Sequence, residues 1–436
     1  MTGKICVIGL GYIGLPTAVM FASAGFDVIG VDTNPNVISS INSGYPHVVE
    51  PGLTEALPHL VSEGKLRASL KPEKADAFII AVPTPVTADL KADLSYVREA
   101  SQSIVSSLKI HSLVIIESTV PPGTTDDIVR PILEQTGFTV GRQVFLAHCP
   151  ERVLPGKILH ELVHNNRIIG GADDISTQRA ASLYKSFVLG DLLLTQAKIA
   201  EMTKLMENTF RDVNIALANE LAQICDFLAI DALEVIKLAN CHPRVNLHQP
   251  GPGVGGHCLA VDPYFVVERA PEQAKLISLA RQTNREMPQY IADRVLKLTA
   301  GIDKAKIAVL GITYKGNVSD MRESPAIDVI GILEQKGFNV KVYDPYVDHS
   351  VFELVSRREA LSGAHCALVL VDHNEFKNLD PQLLKSLMSV PMVFDTKNCV
   401  DLKDPQIITV NLGTTTDVIS RINATLREAA VGDEAS

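Results

Sequence analysis

Cys258 is the best candidate for a nucleophile in this sequence. It ends the glycine-rich segment GVGGHC at 253–258, and Asp262 follows four residues later. Glycines next to a cysteine let a ligand or another backbone approach closely, and a thiol near cations or a helix start can ionise to a reactive thiolate. The alternative is a buried, inert thiol, which suits most of the other six cysteines because they lie in apolar strands or helices. The pattern favours nucleophilic chemistry at Cys258.

A second motif, GLGYIG at 9–14, follows an apolar strand and opens a helical pattern. In that context Gly9 permits a tight turn, Gly11 lets the backbone approach a pyrophosphate, and Gly14 brings helix and strand together. Asp32 ends the next strand, 23 positions after Gly9, where a carboxylate hydrogen-bonds a ribose 2′-hydroxyl. The four residues after Asp32 carry no cation for a 2′-phosphate. The motif therefore predicts a site for NAD rather than NADP, and an ordinary glycine-rich turn is the weaker interpretation.

Two later strand ends belong to the same predicted sheet, VPTP at 82–85 and ESTVPPG at 117–123. Ligands of open α/β sheets lie beyond the carboxyl ends of strands, so Thr84, Ser118 and Thr119 are candidates for contact with the cofactor. Proline and threonine are also common in turns, and the residues leave both interpretations open.

Residues 198–230 contain neither glycine nor proline and predict one long helix. Lys204, Asn208 and either Arg211 or Asp212 share a face of this helix, where a lysine and an amide could stabilise an alkoxide. A solvated charged face is the alternative. An apolar face is predicted from Leu205, Val213, Ala216 and Leu217.

Short apolar strands alternate with amphipathic helical stretches up to about residue 171, as in a parallel sheet, and the rhythm restarts at about residue 305. The predicted fold is α/β, with two Rossmann-like doubly wound domains joined by a long central helix and a small helical domain. The predicted boundaries are 1–196, 197–300 and 301–436. A segment rich in proline and glycine at 241–263 resembles a linker, and residues 429–436 are expected to be frayed.

Composition limits the possible classes of protein. The 436 residues are 46% hydrophobic and 21% charged, which excludes global disorder and a small disulfide-stapled module. The formal net charge of −10 offers no overall positive field for nucleic acid or anionic lipid. The seven cysteines are scattered without a CxxC pair, so neither a disulfide framework nor a metal site is predicted. The absence of a signal-like start and of a long apolar run predicts a cytoplasmic protein with no membrane span.

Six motifs resemble, in order, those of the UDP-glucose/GDP-mannose dehydrogenase family, the UDP-sugar 6-dehydrogenases. They are VIGLGYIGLP near the start, ESTVPPGTT at 117–125, CPERVLPG at 149–156, AEMTKLMENTFRDVNIALANEL at 200–221, GVGGHCLAVDPY at 253–264 and YKGNVSDMRESPA at 314–326. HPRVN at 242–246, running into the cysteine loop, resembles the branch of the family that acts on UDP-N-acetylhexosamines, UDP-N-acetylmannosamine above all.

The resemblance implies that one site oxidises sugar C6 from an alcohol to a carboxylate with two NAD in turn, in nucleotide-sugar metabolism for polysaccharide biosynthesis. Cys258 would attack the first-formed aldehyde, giving a thiohemiacetal and then a thioester that water hydrolyses. Lys204 and Asn208 would hold the C6 oxygen and the oxyanions, and Asp262 would orient a water or Lys204. Thr119 and Glu151 would help to place the hydrolytic water.

The resemblance also implies binding residues and a homodimer or a dimer of dimers, with the long helix at the dimer contact. Those expected on NAD are Gly9, Gly11, Tyr12, Ile13, Gly14, Asp32, Thr84, Ser118, Thr119 and Arg322. Those expected on the UDP-sugar are Glu151, Arg152, Val153, Lys204, Asn208, His242, Arg244, Gly255 and Lys315.

The residues leave three other functions open. The sugar could be UDP-N-acetylglucosamine, or after it UDP-glucose, since a few pocket contacts decide. A β-hydroxyacid dehydrogenase also joins a Rossmann domain to a long helix with a Lys-x-x-x-Asn pattern, but it needs neither Cys258 nor a third domain. A non-enzymatic NAD sensor has no use for Lys204, Cys258 and Asp262 together.

Overall fold

The structure, a computed structural model, describes residues 3–420. The chain forms two compact units, one of residues up to Glu207 with Tyr264–Gln273, the other of Asn208–Pro263 with the residues from Ala274 onward. The unit boundary falls inside the long helix, and the predicted boundaries at 196 and 300 stay a prediction. The expected fraying of residues 429–436 lies outside the described residues.

The strands of the first unit are short and almost wholly apolar. They are β1 (Lys4–Ile8), β2 (Asp27–Val31), β3 (Leu66–Ser69), β4 (Ala77–Ile80), β5 (Leu113–Ile116), β6 (Phe145–His148), β7 (Arg167–Gly171) and β8 (Leu192–Gln196). Within residues 3–207 they form one sheet in the order β3-β2-β1-β4-β5-β6-β7-β8. The run β3-β2-β1-β4-β5-β6 is the doubly wound dinucleotide-binding order, and its topological switch point lies between β1 and β4.

Helices cover both faces of this sheet. They are α1 (Gly14–Ser23), α2 (Pro35–Asn42), α3 (Leu53–Ser62), α4 (Ser95–Ile104), α5 (Arg130–Glu134), α6 (Ile158–His164) and α7 (Asp174–Tyr184), with a 3₁₀ turn at Val105–Ser107 and a π turn at Thr125–Val129. Both faces carry a buried apolar cluster. Burial on both sides explains why β1, β4 and β5 appear in the sequence as continuous apolar runs.

The prediction that the sheet continues in parallel to residue 171 is wrong at one junction. β7 pairs with β6 in antiparallel orientation, and β8 pairs with β7 in parallel. The connection between β6 and β7 contains only the seven-residue α6, which is short for a crossover helix. A reversed strand pair at the edge of a mostly parallel sheet is a common arrangement.

The remaining helices begin with the long one. They are α8 (Ala197–Leu228), α9 (Ala232–Ala239), α10 (Asp262–Arg269), α11 (Lys275–Leu298), α12 (Pro325–Gln335), α13 (Arg357–Leu361) and α14 (Pro381–Leu387), with a 3₁₀ turn at Asn374–Phe376. The prediction of one long helix is confirmed to within two residues at each end.

The strands of the second unit restart where the sequence predicts. They are β9 (Lys306–Leu310), β10 (Asn339–Tyr343), β11 (Cys366–Val369), β12 (Met392–Asp395) and β13 (Ile408–Asn411). Between Asn208 and residue 420 they form a parallel sheet in the order β10-β9-β11-β12-β13. Counted from its own first strand this is the order 2-1-3-4-5, also doubly wound, and the predicted α/β class is confirmed.

Helix α8 carries polar residues on its buried side and apolar residues on its exposed side. The buried polar residues are Glu201, Asn208, Asp212, Asn219 and Asp226, and the exposed apolar ones are Ile199, Met206, Phe210, Leu217 and Ile224. Each polar residue follows an apolar one by two positions, about 200° around the helix. The predicted apolar face is therefore wrong for Leu217, which is 48% exposed. Polar groups can face inward here because each of the five has hydrogen-bond or ion-pair partners.

Candidate functional site

The loop between β1 and α1 has the geometry of a pyrophosphate cradle. Gly9 has φ +89°, and a Cβ there would lie 2.5 Å from the carbonyl oxygen of Ala81. A Cβ at Gly14 would overlap the carbonyl oxygen of Gly9, which explains its close packing. At Gly11 a Cβ would meet nothing within 4 Å, so the fold does not require glycine there. A ligand that approaches the backbone would require glycine at this position, which fits the role predicted for Gly11.

The same loop opens onto the start of α1. Ile13, the residue before the helix, makes no side-chain cap, and the first turn carries no acidic residue. Uncapped backbone N–H groups and the positive end of the helix dipole favour a phosphate group at this position. Tyr12 is half exposed beside it. The predicted cofactor residues 9–14 thus lie together around one anion-favouring corner.

Asp32 lies at the carboxyl end of β2 and is partly exposed. One carboxylate oxygen accepts a hydrogen bond from the backbone N–H of Leu10 at 3.0 Å, and the other accepts from the N–H of Asn34 at 2.9 Å. A carboxylate has about four acceptor positions, so these two bonds hold Asp32 in place and leave capacity for ribose hydroxyls.

The hydroxyls at the ends of β4 and β5 bond to one another's strands. Ser118 accepts from the N–H of Val82 at 2.9 Å and donates to its carbonyl at 2.8 Å, while Thr84 donates to the carbonyl of Thr119 at 2.7 Å. These bonds join the two loops at the edge of the sheet where a cofactor would lie. Ser118 and Thr84 therefore shape that edge, and Thr119 lies on it, partly exposed.

The next part of that loop is held by Glu201 of α8. Its buried carboxylate accepts from the N–H of Gly123 at 2.5 Å, from the N–H of Thr125 at 2.8 Å and from the Thr125 hydroxyl at 2.6 Å. Burial raises the pKa of Glu201, and the three donors oppose that effect. Sequence reasoning missed Glu201, although it lies seven residues before Asn208 on the polar side of the helix.

Glu151 lies in the loop after β6 and is fixed at both carboxylate oxygens. One accepts from the N–H of Arg152 at 2.6 Å, and the other lies 2.8 Å from the Arg167 guanidinium. The same guanidinium group of Arg167 pairs with Glu117 at 2.6 Å, and Glu117 also accepts from Tyr184 at 2.7 Å. Glu117 and Arg167 are buried, and burial raises the pKa of Glu117 while the Arg167 charge opposes the rise. Sequence reasoning missed this cluster, because its members come from separate strands and a helix.

Arg152 and Val153, predicted to contact substrate, follow Glu151 and are partly exposed. The Arg152 guanidinium pairs with Glu207 of α8 at 2.8 Å and donates to the carbonyl of Asn166 at 3.1 Å. These contacts fix the loop at 151–153 against elements of its own unit.

In the second unit, the glycines before Cys258 pack against the loop that follows β9. A Cβ at Gly256 would lie 2.8 Å from the Tyr314 ring, and one at Gly255 would overlap the carbonyl of Glu323. The N–H of Gly256 donates to the carbonyl of Arg322 at 3.2 Å. The sequence motifs at 253–264 and 314–326 are thus in direct contact. The interpretation of 241–263 as a linker is wrong, because its second half packs against the loop after β9. The glycines are required by that packing.

Cys258 is exposed and lies in a turn that leads into α10. Its carbonyl accepts from the N–H of Asp262 at 2.8 Å, and the Asp262 carboxylate accepts from the side-chain amide of Asn208 at 2.6 Å. Asn208 and Asp262 are buried, at 8% and 3% exposure. The turn therefore brings three predicted catalytic residues into one connected group. Three other cysteines are inert core thiols, since burial raises the pKa to about 11 for Cys6 and Cys149 and to about 12 for Cys366.

The other predicted binding residues lie on loops. His242 and Arg244 are exposed in one turn, where the His242 ring accepts from the N–H of Arg244 at 3.3 Å. Lys315 is exposed after β9, and the exposed Arg322 pairs with Asp320 at 2.6 Å. Lys204 lies one turn before Asn208 on α8 and is partly exposed.

Residues 3–420 contain neither a candidate metal site nor a membrane-spanning helix. No group of three or more His, Cys, Asp or Glu side chains in that range could hold a metal ion. No helix within it is both long and apolar enough to cross a membrane.

Three segments match profiles of the UDP-glucose/GDP-mannose dehydrogenase family. The NAD binding domain matches residues 3–188, the central domain 198–286 and the UDP binding domain 308–402. NAD as cofactor is thereby confirmed. A dinucleotide cofactor agrees with the open space beside Gly11 and with the uncapped start of α1.

Relatives match over nearly the whole chain. UDP-N-acetyl-D-mannosamine dehydrogenase of Methanocaldococcus jannaschii is 48% identical over 404 residues, 91% of this chain and 93% of that protein. NDP-N-acetyl-D-galactosaminuronic acid dehydrogenase of Ralstonia solanacearum is 46% identical over 90% of this chain and 95% of that protein. The solved structure of the UDP-N-acetyl-mannosamine dehydrogenase Cap5O from S. aureus is 49% identical, with TM-score 0.89, and the match covers 95% of this chain and 100% of that one.

Proposed function

Because this chain belongs to the UDP-glucose/GDP-mannose dehydrogenase family, we propose that it oxidises C6 of UDP-N-acetyl-D-mannosamine to the uronate with NAD. The observation that carries the proposal is the turn that places Cys258 four residues before Asp262, whose carboxylate accepts from the Asn208 amide. Relatives of both mannosamine and galactosaminuronic acid type match at similar identity, so the configuration of the sugar is the finest part of the proposal.

Cys258 supplies the covalent step. The glycine-rich loop at 9–14 would hold NAD, which would supply the hydride acceptor for each of the two oxidations at C6. Between them the Cys258 thiol adds to the C6 aldehyde, forming a C–S bond and a thiohemiacetal, which keeps the aldehyde on the protein. After the second oxidation the thioester is cleaved by water, so that one oxygen enters C6 and the thiol regains its proton.

Asn208, Lys204 and Asp262 act on the oxygen at C6. The Asn208 amide is fixed by its hydrogen bond to Asp262, so its direction is set before substrate arrives. Lys204, one turn away, adds a positive charge for the alkoxide and the tetrahedral oxyanions. Asp262 orients a water or the Lys204 ammonium for proton transfer.

Glu151 and Thr119 place the hydrolytic water. The support for Glu151 is its fixed carboxylate, held by the N–H of Arg152 and by Arg167, which keeps a buried positive charge beside it. A carboxylate held at both oxygens has one orientation, which is what a residue that positions a single water requires.

The remaining predicted contacts complete the proposal. NAD is bound by residues 9–14, Asp32, Thr84 and Ser118, with Arg322 as a further contact, and the UDP-sugar by residues 151–153, His242, Arg244, Gly255 and Lys315. The three predicted domains then divide the work between NAD, the nucleophile with the dimer contact, and UDP. Since NAD and nucleotide sugars are cytoplasmic reactants, we place the enzyme there.

A homodimer or dimer of dimers is part of the proposal. The exposed side of α8 carries apolar residues at positions 199, 206, 210, 217 and 224, which are spaced by seven or four. That spacing is the pattern of a helix seam, and a continuous apolar stripe of this kind indicates a protein partner. A second copy of the same helix would cover it with matching residues.

The test measures NADH released and acid formed per sugar consumed, with UDP-N-acetyl derivatives of mannosamine, glucosamine and galactosamine and with UDP-glucose. We expect two NADH per acid with UDP-N-acetylmannosamine preferred. One NADH with a keto product would favour the β-hydroxyacid reaction instead.

A matched variant tests the nucleophile. Cys258→Ser should lower acid formation by about 1000-fold or more while NAD binding stays within about twofold, because the thiol is a nucleophile and not a cofactor ligand. Full acid formation in this variant would refute the thioester route. Cys241→Ser is the control, since that exposed thiol lies in the turn before Arg244 and has no assigned role.

A further inference from the structure

The loop that carries Cys258 is anchored at its start by an asparagine of α8. The N–H of Gly251 donates to the side-chain oxygen of Asn219 at 2.8 Å. At the other end of the loop, Asp262 accepts from Asn208 at 2.6 Å. Asn208 and Asn219 are eleven residues apart, three turns of helix, and so lie on the same side of α8. One face of one helix thus holds both ends of the cysteine loop.

The anchor at Asn219 belongs to a chain of hydrogen bonds with a fixed direction. Arg281 donates to the Asp212 carboxylate at 2.6 Å, and the Asn284 amide donates to the same oxygen at 2.8 Å. Because an ionised carboxylate only accepts, the Asn284 oxygen must face away from Asp212, where it accepts from the Asn219 amide at 2.9 Å. The Asn219 oxygen is then left to face Gly251.

All members of this chain are buried. Asn219 and Asp212 are 0% exposed, and Asn284 is 2% exposed. A buried amide without a hydrogen-bond partner raises the free energy of the folded state. The hydrogen bonds therefore hold each amide in one orientation. The same α11 residue also limits the loop directly, since a Cβ at Gly253 would lie 2.9 Å from the carbonyl oxygen of Asn284.

We propose that Asn219 and Asn284 are positioning residues for Cys258, which set where the loop starts and hence where the thiol meets the C6 aldehyde. This rests on the proposed function, because it takes Cys258 as the nucleophile. The first oxidation needs no thiol, whereas addition to the aldehyde requires the sulfur within bonding reach. A misplaced loop should therefore impair the second half of the reaction and release aldehyde.

The test compares Asn219→Ala with Asp226→Asn in the full-length protein. Asp226 is also buried on α8, but its carboxylate bonds to Tyr290 at 2.8 Å and to the N–H of Thr416 at 2.6 Å, neither of which belongs to the cysteine loop. Two quantities are measured: hydrogen exchange of the peptide 250–257, and the share of consumed sugar trapped by hydroxylamine as C6 aldehyde.

In Asn219→Ala we expect exchange in the loop to accelerate about tenfold or more, and acid formation to fall about 10- to 100-fold with a raised aldehyde share. The KM for NAD should stay within about twofold. Asp226→Asn should keep the loop exchange and aldehyde share of the unaltered protein at a similar loss of thermal stability. Should Asn219→Ala not fold, Asn219→Ser, which keeps a small hydroxyl acceptor, replaces it.

Unchanged loop exchange in Asn219→Ala would overturn the proposal, and so would faster exchange with an unchanged aldehyde share, which would make Asn219 merely structural. An equal aldehyde share in Asp226→Asn would overturn it as well. If the unaltered protein makes no acid from any UDP-sugar, the proposed function fails, and the proposal fails with it even if the loop exchange responds.

Discussion

The two α/β halves of this protein fix a carboxylate with the same hydrogen bonds but place it in different surroundings. In the first half, the N–H of Gly9 donates to the carbonyl of Val31 at 2.8 Å, and Asp32 accepts from the N–H groups of Leu10 and Asn34. Asp32 stays partly exposed. Its remaining acceptor capacity is open to the ribose of NAD in the function proposed above.

The second half repeats these bonds around Asp344. The N–H of Gly311 donates to the carbonyl of Tyr343 at 2.8 Å, and Asp344 accepts from the N–H groups of Ile312 and Tyr346, each at 2.8 Å. Here the His373 ring also lies 3.1 Å from the carboxylate, and Asp344 is buried. His373 thus uses acceptor capacity of Asp344 that stays open on Asp32 in the first half.

The halves also differ in the connection between the first strand and the next helix. In the first half α1 starts five residues after Gly9, so its N-terminus reaches the ligand edge directly. In the second half α12 starts fourteen residues after Gly311, and the loop between them packs on the cysteine loop. Under the proposed function, one scaffold thus serves two purposes: the short glycine turn would bind a pyrophosphate, and the long loop would support the segment that carries Cys258.

Substitution of one glycine in each half should give the largest difference between the halves, in NAD affinity for the first and in stability for the second. Gly11→Val adds a side chain in space that the fold leaves open, so we expect NAD to bind about 100-fold more weakly, or ~3 kcal/mol, with little loss of stability. Gly311→Ala forces a Cβ to 2.5 Å from that of Val371 at φ +92°, and should lower the free energy of unfolding by about 2–4 kcal/mol.

Calorimetric titration with NAD measures the first effect. Pulse labelling of two buried thiols, Cys6 in the first half and Cys366 in the second, measures unfolding of each half in urea. A Gly11→Val protein that binds NAD normally would contradict the cradle assignment.

The paired aspartates should give the next largest difference. Asp344→Ala removes the acceptor of the buried N–H of Ile312, of the partly buried N–H of Tyr346 and of the His373 ring, so we expect a loss of about 2–4 kcal/mol of stability in the second half. Asp32→Ala should weaken NAD binding by about tenfold and reduce the preference for NAD over NADP. Both effects are measured as for the glycine variants.

If Asp344→Ala weakened NAD binding as strongly as Asp32→Ala, the carboxylates would not have the separate roles that the structure indicates. Asp32→Asn is the milder control, because it retains one acceptor for the N–H of Leu10.

Much of this arrangement follows from local sequence. Continuous apolar strands, the glycine spacing at 9–14 and the unbroken helix at 197–228 each reflect short-range rules, and Asp32 directly follows the strand that the sequence predicts. The features that sequence did not reveal depend on distant partners. The burial of Asp344 by His373, the reversed β7 and the cluster of Glu117 with Arg167 each need tertiary contacts that no local pattern encodes.

Helix α8 is the instructive intermediate case. Its polar residues at 201, 208, 212, 219 and 226 repeat at seven and four, a signal as regular as any apolar stripe. The interpretation of this polar side as a solvated face is wrong, because polar periodicity does not say which side of a helix is buried. The apolar stripe displaced by two residues repeats with the same spacing, and by the usual rule it would be the buried side, whereas in the structure it is exposed.

Acid pH should lower the stability of the two halves in different pH ranges, and this is the smallest of the expected differences. In the first half, burial lowers the pKa of His148 to about 3, so the folded protein holds this ring neutral. The unfolded chain protonates it below about pH 6.5, so its contribution to stability falls by about 1.4 kcal/mol per unit as the pH drops from there toward 3. In the second half, burial would raise the pKa of Asp344, but hydrogen bonds from His373 and two N–H groups outweigh it and hold the pKa low.

The Asp344 contribution is therefore complete above its unfolded pKa, about 4, and is lost only as the pH falls through the lower folded value. Glu117 and Glu201 in the first half have raised pKa values, so their contribution to stability rises as the pH falls. The effect of His148 is therefore isolated by the difference in stability between the unaltered protein and His148→Leu. Between pH 6 and 4.5 that difference should change steadily when Cys6 labelling is followed, whereas the difference for Asp344→Asn in Cys366 labelling should stay flat. A flat His148→Leu difference would mean that the ring is already protonated in the folded protein, and the first half would then lose its distinct acid response.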